Sequence, residues 1–156
     1  MLGALIDWYY GRRAWGGYLK SQKLLRQAYY DAGSSSGSPR GVTWGRCEWT
    51  GATQLLRERA DRSWWLLSGV QLSFEAIPGG DMEDVAAVTS LRTATAVFQF
   101  ADGEWKPTGR TLFNFDPAAA AELFEESHDV LRVEHNDKKT VPRRPGDGSI
   151  NQQADA

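Results

Sequence analysis

A chain of 156 residues with 41% hydrophobic and 24% charged side chains is long enough for one core and too short for two ordinary domains; wholesale disorder and a fibrous repeat are excluded. The net charge of −2 gives no global attraction to nucleic acid, and the single cysteine, Cys47, excludes an internal disulfide, which points to a reducing compartment. No stretch supplies the ~20 apolar residues of a spanning helix, and the apolar run Met1 to Ile6, broken by Gly3 and closed by Asp7, is shorter than the ~7–15 apolar residues of a signal peptide.

The first thirty residues hold all five tyrosines and two of the seven tryptophans, while all six phenylalanines follow residue 73. Tyr and Trp carry a polar tip and suit half-wet surfaces; Phe suits a dry core. Arg12, Arg13, Lys20, Lys23 and Arg26 face one acid, Asp7, giving this leader a local charge of +4. Trp15, Tyr18, Gln22, Leu25 and Tyr29 step by three and four and form one stripe of a helix. Gly11, Gly16 and Gly17 each weaken a helix by ~1 kcal/mol against alanine, which predicts a break there and a firm helix only from Tyr18 to Asp31. Gly33 reads as the stop, and residues 33–41 as a Gly/Ser linker after a leader of residues 1–32.

From Val42 the language is that of strands: Val42 to Trp49, a turn at Thr50 and Gly51, Thr53 to Arg59, Trp64 to Ile77 with a bend at Gly69, then Val85 to Leu91. In the first of these, Val42, Trp44, Arg46 and Glu48 alternate with Thr43, Gly45, Cys47 and Trp49. Thr93 to Phe100 alternates cleanly, Asp102-Gly103 marks a tight hairpin, and the returning strand sets Thr111, Phe113 and Phe115 against Leu112 and Asn114. Asp116 and Pro117 start a helix near residues 117–127, in which Leu123 and Phe124 are expected to pack on the sheet. Asp129 to Glu134 reads equally as a last strand or a helical extension, closing a β-rich domain of residues 42–135. Residues 136–156, basic and then polar without an aromatic, read as a disordered tail.

The expected class is α+β, mainly antiparallel: a bent sheet or small barrel of six or seven strands closed by a C-terminal helix. In element order, Val42 to Ser127 resembles bacterial pleckstrin-homology-like domains. The competing architecture is a cone-shaped sheet around the N-terminal helix, as in nuclear-transport-factor-like or cystatin-like folds, which would put the Trp15 to Tyr29 stripe inside the core.

No catalytic signature is present. Ser68-Gly69 lacks the upstream glycine of a nucleophile elbow, and His128 and His135, with only Glu125 or Asp129 nearby, do not complete a metal site. The acidic loop Asp81, Glu83, Asp84 lacks calcium-loop spacing, and Gly79-Gly80 does not continue into a phosphate loop. No cofactor and no metal is expected. The functional expectation is a non-enzymatic interaction or scaffold module whose leader docks on a protein partner or on an anionic membrane surface through Trp8, Tyr9, Arg12, Arg13, Trp15, Tyr18, Lys20 and Lys23. Nucleic acid is not an expected partner, since the leader lacks the aromatic strand motif of an RNA-binding sheet. The chain is expected to be cytoplasmic, with membrane association as a variant. The alternative is a small-molecule binding protein or enzyme with a pocket lined by Trp44, Trp64, Trp65 and Trp105, in which Glu104 or Asp61 has a raised pKa.

Overall fold

The computed structural model describes residues 2–36, 41–83 and 90–136. Helix α1 (Leu2–Ser36) is followed by β1 (Val42–Glu58), β2 (Trp64–Ala76), β3 (Arg92–Ala101), β4 (Glu104–Phe113), the short helix α2 (Pro117–Glu122) and β5 (His128–Glu134). All neighbouring strands are antiparallel, in the order β4-β3-β2-β1-β5. The class is α+β, but among the described residues the sheet has five strands rather than six or seven and is not closed.

α1 is unbroken across Gly11, Gly16 and Gly17 and runs on past Gly33. Packing explains why the expected break and stop do not occur. A Cβ at Gly11 would stand 3.2 Å from the Trp64 ring, one at Gly17 would stand 3.9 Å from Nε1 of Trp105, and one at Gly33 would overlap the Trp44 ring. Three tryptophans of the sheet thus meet the helix at glycines. Burying a large apolar side chain is worth ~1.5–3 kcal/mol, more than the ~1 kcal/mol a helical glycine costs. Nε1 of Trp105 also donates to the Ala14 carbonyl at 2.8 Å. The stripe of α1 formed by Trp15, Tyr18, Leu25 and Tyr29 is buried with them, in one cluster that includes Leu66, Val70, Ala96 and Phe98.

β1 is a single strand where two were expected. Thr50 and Gly51 form a bulge, not a turn: Trp49 pairs with Val70 and Thr53 with Ser68, so β1 carries two extra residues opposite Gly69. Gly51 takes φ +84°, and a Cβ on Gly69 would run into Thr50 and the Pro117 ring, so that glycine marks a close approach. A second irregularity between Trp44 and Cys47 corrects the face assignment. Past it, Cys47 and Trp49 join Val42 and Trp44 under α1 while Arg46 and Glu48 are exposed, because a one-residue slip exchanges faces.

The β3–β4 hairpin turns at Asp102 and Gly103, φ +54° and +78°, as expected. Asn114 at φ +66° then ends the alternation, so Phe115 packs beside Leu112 on the opposite side of the sheet from Phe113. Asp116 caps α2 by accepting from the Ala119 N–H at 2.8 Å. The helix ends at Glu122, and it is Pro117, Ala120 and Ala121 that it buries; Leu123 is exposed and Phe124 half-buried. The Asp129 to Glu134 segment is a strand, β5, pairing with β1. Of the expected strand Val85 to Leu91, residues 85–89 lie outside the described residues, as do residues 37–40 of the linker and 137–156 of the tail; Ser90 and Leu91 are not in a strand.

The outer end of the first helix as candidate site

Core packing divides α1 into two unequal parts. From Ala14 onward its inner face is buried, whereas Leu2, Leu5, Ile6, Trp8, Tyr9 and Tyr10 are all exposed, Leu2 by 77% and Trp8 by 59%. Of the eight leader residues proposed as a docking set, Trp15 and Tyr18 are core, and Trp8, Tyr9, Arg12, Arg13, Lys20 and Lys23 are exposed. The sequence separates these only in part: the three-four stripe marks Trp15 and Tyr18 as one face, but nothing in it says how far toward the N-terminus the sheet extends.

What ties this outer end to the sheet is an ion cluster. Asp7 is bonded by both Arg57 and Arg62, and the Arg57 guanidinium lies over the Trp64 ring at 4.5 Å, beside Gly11. Burial pushes the Asp7 carboxyl up, but the Arg62 hydrogen bond and the charges of Arg57 and Arg62 outweigh it and hold the pKa below its ordinary value. A depressed carboxylate pKa contributes stability that is complete above the unfolded value of ~3.9 and is lost as pH falls through the folded value. Asp7→Asn is therefore expected to lower the urea midpoint at pH 6 and to leave a smaller difference from the unsubstituted protein at pH 3. An equal difference at both pH values would show that the charge of Asp7 contributes nothing.

Beside this end, β5 presents Leu131, 46% exposed, while Val130 and Val133, opposite Leu56 and Gln54, are exposed on the other face of the sheet. An irregularity of β5 opposite Leu55 and Leu56 turns Leu131 and Arg132 toward α1. Arg132 stacks over Trp15 at 4.7 Å and Arg12 over Trp8 at 5.1 Å. Between helix and strand lies a groove of about 490 Å³ lined by Ala4, Asp7, Trp8, Gly11, Arg12, Leu55, Leu131 and Arg132.

The tryptophan set is not brought together around one pocket. Trp44, Trp64 and Trp105 seat the helix at three separated points, and Trp65 lies on the other face, with its Nε1 donating to Ser63 Oγ at 2.9 Å. Glu104 is exposed at the hairpin, and Asp61 is exposed too. Hydrogen bonds from Ser63 hold the Asp61 carboxyl below its ordinary range, opposite to the raised value a general acid at neutral pH requires. Cys47 is half-buried, and burial pushes its thiol up to about 11, so little of it is thiolate at neutral pH. His128 is buried between Trp65 and Phe124, with Nδ1 2.7 Å from Ser127 Oγ, while His135 is exposed. In the acidic loop the Glu83 carboxylate accepts from the Gly79 N–H at 2.9 Å, and Asp84 lies outside the described residues.

Comparison with protein-family models, with curated proteins and with solved structures found no match to this chain. The function rests on the geometry alone.

Proposed function

We propose that this protein is a non-enzymatic module that docks on an anionic membrane surface through the outer end of α1, with the sheet as a rigid scaffold behind it. The observation that carries the reading is the succession along the helix axis: apolar Leu2, Leu5 and Ile6, then aromatic Trp8, Tyr9 and Tyr10, then basic Arg12 and Arg13, all exposed. Apolar, aromatic and cationic residues in that order match the layers of a bilayer met from within: hydrocarbon, interface and headgroup phosphate. Asp7 interrupts the series, but it is neutralised by two guanidiniums.

The depth is self-consistent. Leu2 to Ile6 spans four rises of 1.5 Å, ~6 Å along the axis, a small part of the ~30 Å hydrocarbon core. Deeper entry would carry the Asp7–Arg62 pair into hydrocarbon. No helix among the described residues is long and apolar enough to cross a membrane. Lys20 and Lys23, further along the exposed side of α1, add long-range attraction of ~1 kcal/mol or less each. A protein groove is the other occupant such a tip suits, but it gives no reason for the basic residues to follow the aromatics in order. Of the two architectures read from the sequence, the one with the Trp15 to Tyr29 stripe inside the core draws support from its burial.

Flotation tests this directly. The protein is expected to float with phosphatidylcholine vesicles containing phosphatidylglycerol and much less with phosphatidylcholine alone. Leu5→Asp, at a site 68% exposed, is expected to abolish flotation while changing the unfolding free energy by no more than about 0.5 kcal/mol. Absence of the unsubstituted protein from both vesicle fractions would reject the membrane and make a protein groove the occupant to seek.

A further inference from the structure

We infer that the groove between α1 and β5 binds the phosphate of an anionic lipid, so that attachment is to a specific headgroup site as well as to a charged surface; this rests on the docking reading above. Three observations converge on it. The floor is apolar, with Ala4, Gly11, Leu55 and Leu131, whereas Arg12 and Arg132 come from opposite walls. Each of these guanidiniums is already stacked on an indole, Trp8 or Trp15, which restricts its rotamers before a ligand arrives and lowers the entropy lost per hydrogen bond. A planar fork matches phosphate geometry bidentately, which an ammonium group does not.

The local charge favours an anion. The charged residues lining the groove are two guanidiniums, Arg12 and Arg132, and one carboxylate, Asp7, whose charge is met by Arg57 and Arg62. Asp7 is held by Arg57 and Arg62, and Glu134 Oε1 accepts from both Arg132 Nε at 2.8 Å and Arg132 Nη2 at 2.7 Å, so Arg132 offers a ligand only its remaining N–H groups. Arg12 takes part in no ion pair among the described residues. The level is also right. Arg12 lies six rises beyond Ile6, ~9 Å along the axis, and a helical side chain leans back toward the N-terminus, so its guanidinium reaches headgroup height when Leu2 to Ile6 are immersed. The apolar floor then faces the glycerol and upper acyl carbons of the same lipid.

The test is titration of the full-length protein with phosphatidylcholine vesicles containing phosphatidylglycerol. Arg12→Gln and Arg132→Gln are each expected to weaken partitioning at least tenfold, and together by less than the product of the two. Arg13→Gln, an exposed cation next to Arg12 that does not line the groove, is expected to lose only the roughly fivefold that one surface charge is worth. Arg132 covers Trp15, so Arg12→Gln provides the variant whose effect does not depend on the core. Equal losses for Arg12→Gln and Arg13→Gln would overturn the site, leaving a diffuse field. Millimolar glycerol phosphate is expected not to displace the bound protein; displacement would overturn the lipid as the source of the phosphate. Leu5→Asp separates the two levels. If it leaves vesicle binding intact, the docking reading fails; if it abolishes binding while the arginine variants lose equally, only the groove fails.

Discussion

Tyr29→Ala is expected to cost ~3–5 kcal/mol of unfolding free energy, while Tyr9→Ala, in the same helix, stays within about 0.5 kcal/mol. The two residues have the same chemistry and opposite surroundings. Tyr29 is 2% exposed, with its ring edge-on to Trp44, Trp49 and Phe98 at 5.3–5.9 Å and its hydroxyl 2.7 Å from Thr111 Oγ1. Its removal opens a cavity between helix and sheet that these large rings cannot fill by small shifts. Tyr9 is 56% exposed and touches the Tyr10 ring at 5.5 Å. Urea unfolding followed by tryptophan fluorescence measures both. Similar small costs at the two positions would mean that α1 is not part of the core.

Gly33→Ala is expected to destabilise by ~1–3 kcal/mol, although alanine is the better helix former by ~1 kcal/mol. The added methyl would overlap the Trp44 ring. That ring cannot step aside, because it packs edge-on against Tyr29, Tyr30 and Phe74 within 6.2 Å. Gly16→Ala reports the opposite sign. Nothing lies within 4 Å of its Cβ position, so the propensity gain of ~1 kcal/mol is realised. A stabilising Gly33→Ala would mean that Trp44 is not seated against the helix.

Much of this fold is legible in the sequence. The three-four stripe of Trp15, Tyr18, Leu25 and Tyr29, the Asp102-Gly103 hairpin and the Asp116-Pro117 helix start all rest on local chemistry, and all are present. The misreadings share a cause. Gly11, Gly17 and Gly33 look like helix breakers until the tryptophans from Trp44 to Trp105 are brought against them, and those contacts span 11 to 88 residues of sequence. Thr50-Gly51 looks like a turn until β2 pairs with the chain on both sides of it. Propensity is a weak prior where a distant side chain decides the packing. The undecided segment before His135 becomes β5 because β1 has a free edge, which local pattern does not reveal.

The candidate site was legible in composition but not in extent. The aromatic and basic content of the leader is plain, yet only the packing of the helix on the sheet divides core Trp15 and Tyr18 from exposed Trp8 and Tyr9. Leu131 and Arg132, which form the other wall of the groove, give no sequence signal at all. Arg132 faces α1 because of an irregularity in β5, and one residue of register would send it to the other side of the sheet.

On the proposed reading, one helix serves as core along most of its length and as a membrane contact at its outer end. Amide hydrogen exchange along α1, with and without phosphatidylglycerol-containing vesicles, tests it most directly. In solution, amides of residues 18–33 are expected to exchange slowly and those of residues 2–10 quickly; vesicles should slow the second group and leave the first unchanged. Fast exchange at residues 2–10 on the vesicles, or loss of protection at residues 18–33 when they bind, would contradict it.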